Sequence, residues 1–188
     1  MKGDLETGEN NWKNNCVLAK LVYVYEGIEP ESPKSKRHKL VNPHYFSGVY
    51  EGADNAKLWD EVYAYLDSHY DLKKVKKIYL NADGGTWIQS GKKRIAGITS
   101  VLDEFHLQKY LLKMTSHLKD SVDDARKELC AAVKSGTKAD FQKVVERLKD
   151  CAETEAAAKR INESAYYILT NWTAAKIRLE DRKTVKGG

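Results

Sequence analysis

Lys77-Ile78-Tyr79-Leu80-Asn81-Ala82-Asp83-Gly84-Gly85-Thr86-Trp87-Ile88 decides the fold, together with Ile98-Thr99-Ser100-Val101-Leu102-Asp103-Glu104-Phe105-His106-Leu107. Each half is an apolar run of strand length that ends in an acid. Side chains alternate across a strand, so Ile78 and Leu80 share one face, and Tyr79 and Asn81 the other. Asp83 falls where the first strand stops, and Gly84-Gly85 frees the backbone to turn. Ile98, Val101 and Leu102 form the second run, and Asp103 opens an amphipathic helix. Open α/β sheets place ligands and metals at the carboxyl ends of their strands. The segment between the two runs, with Lys92, Lys93 and Arg94, reads as a short basic loop.

Upstream, Cys16 to Glu26 reads as a strand apolar on both faces, which predicts a central or doubly covered position. Gly27 to His38, with Pro30 and Pro33 among charges, reads as a long basic loop. Leu40 to Tyr50 reads as a second strand, antiparallel to the first. Asp54 or Asn55 can cap a helix that carries Leu58, Val62, Tyr65 and Leu66 on one stripe and ends near His69.

Downstream of Asp103 the periodicity is helical throughout. Leu107, Tyr110, Leu111 and Met114 form one stripe. Val122, Ala125, Leu129, Ala132 and Val133 form another, closed by Gly136. Thr137 can cap a third helix with Phe141, Val144, Val145 and Leu148. A fourth is expected from about Thr154 to Asp181. Short connections predict antiparallel neighbours in a bundle. The fold class is therefore α/β, with an all-α C-terminal half. Its expected parts are a polar terminus over 1–15, an α/β core over 16–103, a helical domain over 104–182 and a frayed tail over 183–188.

Bulk properties narrow the function. Hydrophobic residues make up 41% and charged residues 31% of 188, a globular composition. No apolar run approaches the roughly 20 residues that span a bilayer, and the N-terminus lacks a signal-peptide core. A cytoplasmic, non-membrane protein is expected. Cys16, Cys130 and Cys151 show neither zinc-site spacing nor a disulfide framework. The net charge of +5 is modest. Its clusters at Lys34–Lys39, Lys73–Lys77 and Lys92–Arg94 can face phosphate, or be ordinary solvated charge.

N-A-D-G-G-T-W-I followed by L-D-E-F-H-L-Q-K-Y resembles the core of the ISLre2-type (UPF0236-like) bacterial insertion-sequence transposases. The resemblance covers most of the chain. It implies an incomplete RNase H-like mixed sheet of about three to four strands with a helical insertion, in a DDE recombinase. In such an enzyme three acids hold two Mg²⁺ (or Mn²⁺) ions about 3.5–4 Å apart, which cut and rejoin DNA. By motif match Asp83 is the second acid and a metal ligand. From the residues alone, it is equally a turn acid bonded to local amides. Asp103 and His106 match a D-x-x-H element with a catalytic, DNA-positioning or structural role, and Asp103 also reads as a plain N-cap.

Lys92, Lys93, Arg94, Lys109 and Lys113 are the candidate DNA contacts. Trp87 can stack on a base but is expected in the core, as Tyr166, Tyr167 and Trp172 are expected to pack in the bundle. The first Asp and the final Glu of the triad have no counterpart here. The resemblance thus implies an internal slice of a longer transposase, inactive alone and unable to hold the metals stably. Its parent acts on transposon ends in the bacterial nucleoid, and can do so as a homo-oligomer. The competing readings are a non-catalytic DNA-binding domain using the basic loops and helical arm, and a helical interaction protein.

Overall fold

The computed structural model describes residues 19–180, and the expectations for Cys16 and both termini lie outside the described residues. The chain divides into two compact units, Met1–Lys74 and Val75–Gly188.

In the first unit, β1 (Ala19–Val24) pairs antiparallel with β4 (His44–Val49), Tyr23 opposite Tyr45. The expected loop instead contains a second hairpin, β2 (Gly27–Pro30) with β3 (His38–Val41). Its Glu29–Lys39 pair sits directly across the ladder and forms a 3.1 Å ion pair. The single strand expected over Leu40–Tyr50 is broken in two. Asn42 takes the left-handed conformation (φ 50°) just before Pro43, and its side chain bonds Glu26 at 2.9 Å.

Helix α1 (Asn55–His69) buries Leu58, Trp59, Val62 and Leu66. Asp54 takes the N-cap position as expected but makes no side-chain capping bond; its carboxylate pairs with Lys57 at 2.9 Å, and the Asn55 amide bonds the Gly52 carbonyl. The Tyr65 ring of α1 stacks on His44 at 4.0 Å and meets Phe46 edge-on, covering one face of the ladder. The other face, with Leu21, Tyr23, Tyr45 and Val49, is exposed. The expectation that β1 is central or covered on both sides is therefore corrected: its second apolar face stays largely exposed, with Tyr23 stacked on Tyr25.

In the second unit, β5 (Ile78–Ala82) and β6 (Ile98–Leu102) pair in parallel register. Parallel neighbours need a crossover. The expected basic loop provides it as a helix, α2 (Thr86–Arg94), with Ile88 and Gly91 buried. Five helices follow: α3 (Glu104–Thr115), α4 (Val122–Ser135), α5 (Lys138–Asp150), α6 (Glu155–Thr170) and α7 (Trp172–Glu180). Thr137 and Asp140 form a reciprocal capping box on α5, and Thr154 caps α6. The fourth helix expected from the sequence breaks at Asn171 (φ −102°, ψ 23°), which lets α7 turn onto β6.

One hydrophobic core runs from Leu102 on β6 through Leu107, Leu111 and Met114 of α3 to Phe141, Ile161, Ile168 and Ala175. Strand and bundle share this interior across residue 103. The architecture is mixed α/β. The described strands form three two-stranded ladders, β1–β4, β2–β3 and β5–β6, rather than one hydrogen-bonded sheet of three or four.

Candidate functional site

Ala82 and Leu102 are paired at the ends of β5 and β6, and the Asp103 N–H donates to the Ala82 carbonyl at 2.9 Å. The ladder thus runs to its last residue before both acids. Asp83 and Asp103 leave adjacent strands, whose spacing is about 4.8 Å, at the same end. The structure brings these two together, with His106 beside the second.

Asp83 is exposed, and its Oδ1 accepts the Gly85 N–H at 2.9 Å across a turn in which Gly84 has φ 82°. Asp103 is half-buried and caps α3. Its Oδ1 accepts both the His106 backbone N–H, at 3.0 Å, and the His106 Nδ1–H, at 2.9 Å. The N-cap and the D-x-x-H pair are therefore one arrangement. Burial pushes the Asp103 carboxyl up. The His106 bonds and the His106 and Arg178 charges outweigh that and hold it below the usual carboxylate value. The second oxygen of each acid has no hydrogen-bond partner among the described residues.

Behind the rim lies Arg178 of α7, only 4% exposed. Its Nε donates to the Leu102 carbonyl and its Nη2 to Asn81 Oδ1, each at 2.6 Å, and Glu104 Oε2 lies 4.0 Å away. One guanidinium thus ties the ends of both strands to the start of α3. Sequence reasoning missed it. The available signal was a cation inside the stripe Ala174, Ala175, Leu179, since a buried Arg must find partners.

Tyr167 was also missed as a site residue. Its hydroxyl donates to the Asp83 carbonyl, and its ring stacks on Tyr110 with centroids 3.8 Å apart. Burial pushes this hydroxyl up, and Tyr110 and the charges of Asp83 and Asp103 push it further. Asn171 donates to the Tyr167 carbonyl and fills the space beside Gly84, where a β-carbon would lie 2.5 Å from Asn171 Oδ1.

The candidate DNA contacts are scattered. Lys92, Lys93 and Arg94 stand in the last turn of α2, about 9 to 12 Å along the helix axis from its start near Asp83. Cations there also complement the helix dipole. Lys109 lies over the Phe105 ring at 5.9 Å, and Lys113 over Tyr110 at 5.1 Å. Trp87 is half-buried rather than core, against the Gly85 turn. Tyr166 is 73% exposed and does not pack in the bundle as expected.

Hard divalent cations take oxygen ligands, and Mg²⁺ uses one or two carboxylates completed by phosphate and water. Asp83 and Asp103 each present one oxygen of the kind such a cation takes. Among the described residues, no group of three or more His, Cys, Asp or Glu side chains converges to hold a metal ion. No described helix is long and apolar enough to cross a membrane.

The chain matches the family described as Uncharacterised protein family (UPF0236) over residues 10–187. It is 36% identical over 166 residues to a UPF0236 protein of Caldanaerobacter subterraneus subsp. tengcongensis, covering 88% of this chain and 32% of that relative. A "UPF0236 protein in vanSb 3'region" of Streptococcus gallolyticus is 26% identical over 171 residues, covering 88% of this chain and 36% of the relative. The chain spans about a third of the length of the curated relatives it matches. No solved structure matches it.

Proposed function

This chain belongs to the UPF0236 family, and on that premise we propose that it is the central part of a DDE-type DNA transposase. The observation that carries the reading is the placement of Asp83 and Asp103 at the ends of two adjacent parallel strands, with a helical arm leaving from the second. The remaining length of such a protein supplies the other strands of an RNase H-like sheet, the first Asp and the final Glu.

Asp83 would hold a divalent metal through the oxygen its turn bond leaves free, with Asp103 and His106 beside it at the same rim. Bound there, the metal supplies Lewis-acid activation of a phosphoryl oxygen and of the attacking hydroxyl. The chain's own residues prepare that site. Gly85 fixes one Asp83 oxygen, and His106 fixes one Asp103 oxygen, so each acid presents its second. Arg178 holds the strand ends in register and, with His106, favours the ionised Asp103. Lys92, Lys93, Arg94, Lys109 and Lys113 contribute phosphate contacts, and the substrate is the DNA of insertion-sequence ends.

One metal-binding carboxylate does not hold two metals, so this polypeptide by itself is inactive in nicking DNA with Mg²⁺ or Mn²⁺. In a full-length relative, replacing the residue aligned with Asp83 by Asn is expected to lower strand cleavage about 10³-fold while DNA binding persists. Undiminished cleavage overturns the reading. A second reading is a DNA-binding domain without chemistry, favoured by the engagement of Asp83 with its own turn. It requires salt-dependent DNA binding by the full-length relative and no metal-dependent cleavage.

A further inference from the structure

Beside the acid rim, α3 and α6 enclose a groove of about 390 Å³ that opens at Gly84, the residue after Asp83. That volume suits a small organic group. Its floor is the stacked Tyr110–Tyr167 pair, anchored to the rim by the Tyr167 bond to the Asp83 carbonyl. Tyr166 adds a ring that is 73% exposed. Lys113, Arg160 and Glu163 line the same groove, all exposed and none with an ion-pair partner among the described residues.

Tyr166 presents a free ring face beside Arg160 and Lys113, the latter also lying over the Tyr110 ring, on a helix whose other face is core. Burying Tyr166 against protein would need a neighbour that the bundle does not supply. Aromatic rings that offer a free face next to cations bind unpaired nucleotides: the base stacks, and the backbone lies on the positive charge. A closed duplex keeps its bases stacked on each other and cannot use the ring. Glu163 is a charged acceptor in the groove, suited to an exocyclic amine on a base edge.

We propose that this groove, juxtaposing Tyr166, Lys113 and Arg160 with the Asp83 rim, receives an unpaired nucleotide of the DNA strand processed there. The proposal rests on the recombinase reading and adds the state of the substrate: an opened or single-stranded end. Tyr166 is the stacking ring, Lys113 and Arg160 carry the flanking phosphates, and the Tyr110–Tyr167 pair sets the depth.

The test is fluorescence anisotropy of this chain with a labelled mixed-sequence single strand and with the duplex of the same length, across a salt series. The single strand is expected to bind more tightly than the duplex. Tyr166→Ala is expected to weaken single-strand binding about 10-fold, with duplex binding within about twofold of wild type, and Tyr166→Phe to restore it. Lys113→Ala with Arg160→Ala is expected to reduce the salt slope for the single strand by about one to two. All three side chains are exposed, and circular dichroism checks that the variants fold. Binding of both DNAs with no effect of Tyr166→Ala overturns the groove and leaves the recombinase reading standing. Binding of neither DNA likewise overturns the groove, while the recombinase reading is decided separately by strand cleavage in the full-length relative.

Discussion

The ladders β1–β4 and β5–β6 each hold two strands, yet they stand in opposite circumstances. The first pairs six residues with six and leaves Leu21, Tyr45 and Val49 more than half exposed. The second pairs five with five and buries Val101 and Leu102 to 1% exposure. It is the shorter ladder, and parallel pairing is slightly the weaker kind per residue. What differs is the cover. Helix α7 lies along β6, and Arg178 hydrogen-bonds both strands from within the core. A two-stranded ladder is marginal alone, so its ends are only as fixed as the elements packed on it. The candidate site sits on the ladder whose ends are tied.

Arg178→Met tests that contrast most severely. It leaves the Leu102 carbonyl and Asn81 Oδ1 without their donor in a buried setting, and the expected loss is about 4 kcal/mol in urea unfolding. Amide exchange should then rise at the ends of β5 and β6. A loss below about 1 kcal/mol would mean that the guanidinium is not what fixes the rim.

Gly84→Ala is next, at about 2 kcal/mol. A β-carbon there meets Asn171 and must also adopt φ 82°. Thermal unfolding measures it, and the amide signals of residues 83–85 should shift together.

Asp103→Ala removes the α3 cap at a cost of about 1 kcal/mol near neutral pH. The folded Asp103 carboxyl lies below its ordinary 3.8, so the unfolded chain binds more protons as pH falls through that window. Stability therefore rises with pH there, and the Asp103 contribution is full above it. The gap between wild type and Asp103→Ala should shrink as pH drops below about 3.8 through the folded value. A gap unchanged at pH 3 would show that the carboxylate charge contributes nothing.

The smallest effect belongs to the uncovered ladder. Leu21→Ser, at a residue 56% exposed, should change stability by no more than about 0.5 kcal/mol. A larger loss in this chain would show that the face is covered in solution.

The rim was legible in the sequence because its grammar is local. An apolar run closed by Asp-Gly ends a strand, and an acid three residues before His, ahead of Leu107 and Leu111, caps a helix. Helix α2 was hidden because only Ile88 and Gly91 of Thr86–Arg94 turn inward, which leaves almost no stripe to read. The β2–β3 hairpin was hidden by Pro30 and its charges, which sit at an exposed ladder whose Glu29–Lys39 pair is visible only once the register is known. Arg178 and Tyr167 act over 76 and 84 residues of chain separation, and no window of sequence contains both ends of such a bond.

The interruption at Asn171 has an evolutionary reading. Its amide occupies the space that glycine leaves empty at position 84, so the two positions form one steric unit drawn from distant parts of the chain. A lineage that gains bulk at 84 must give it up at 171, while one that keeps glycine at 84 is free to hold a large polar residue there. In a deep set of aligned relatives the pair should therefore drift together, even where everything around it varies independently.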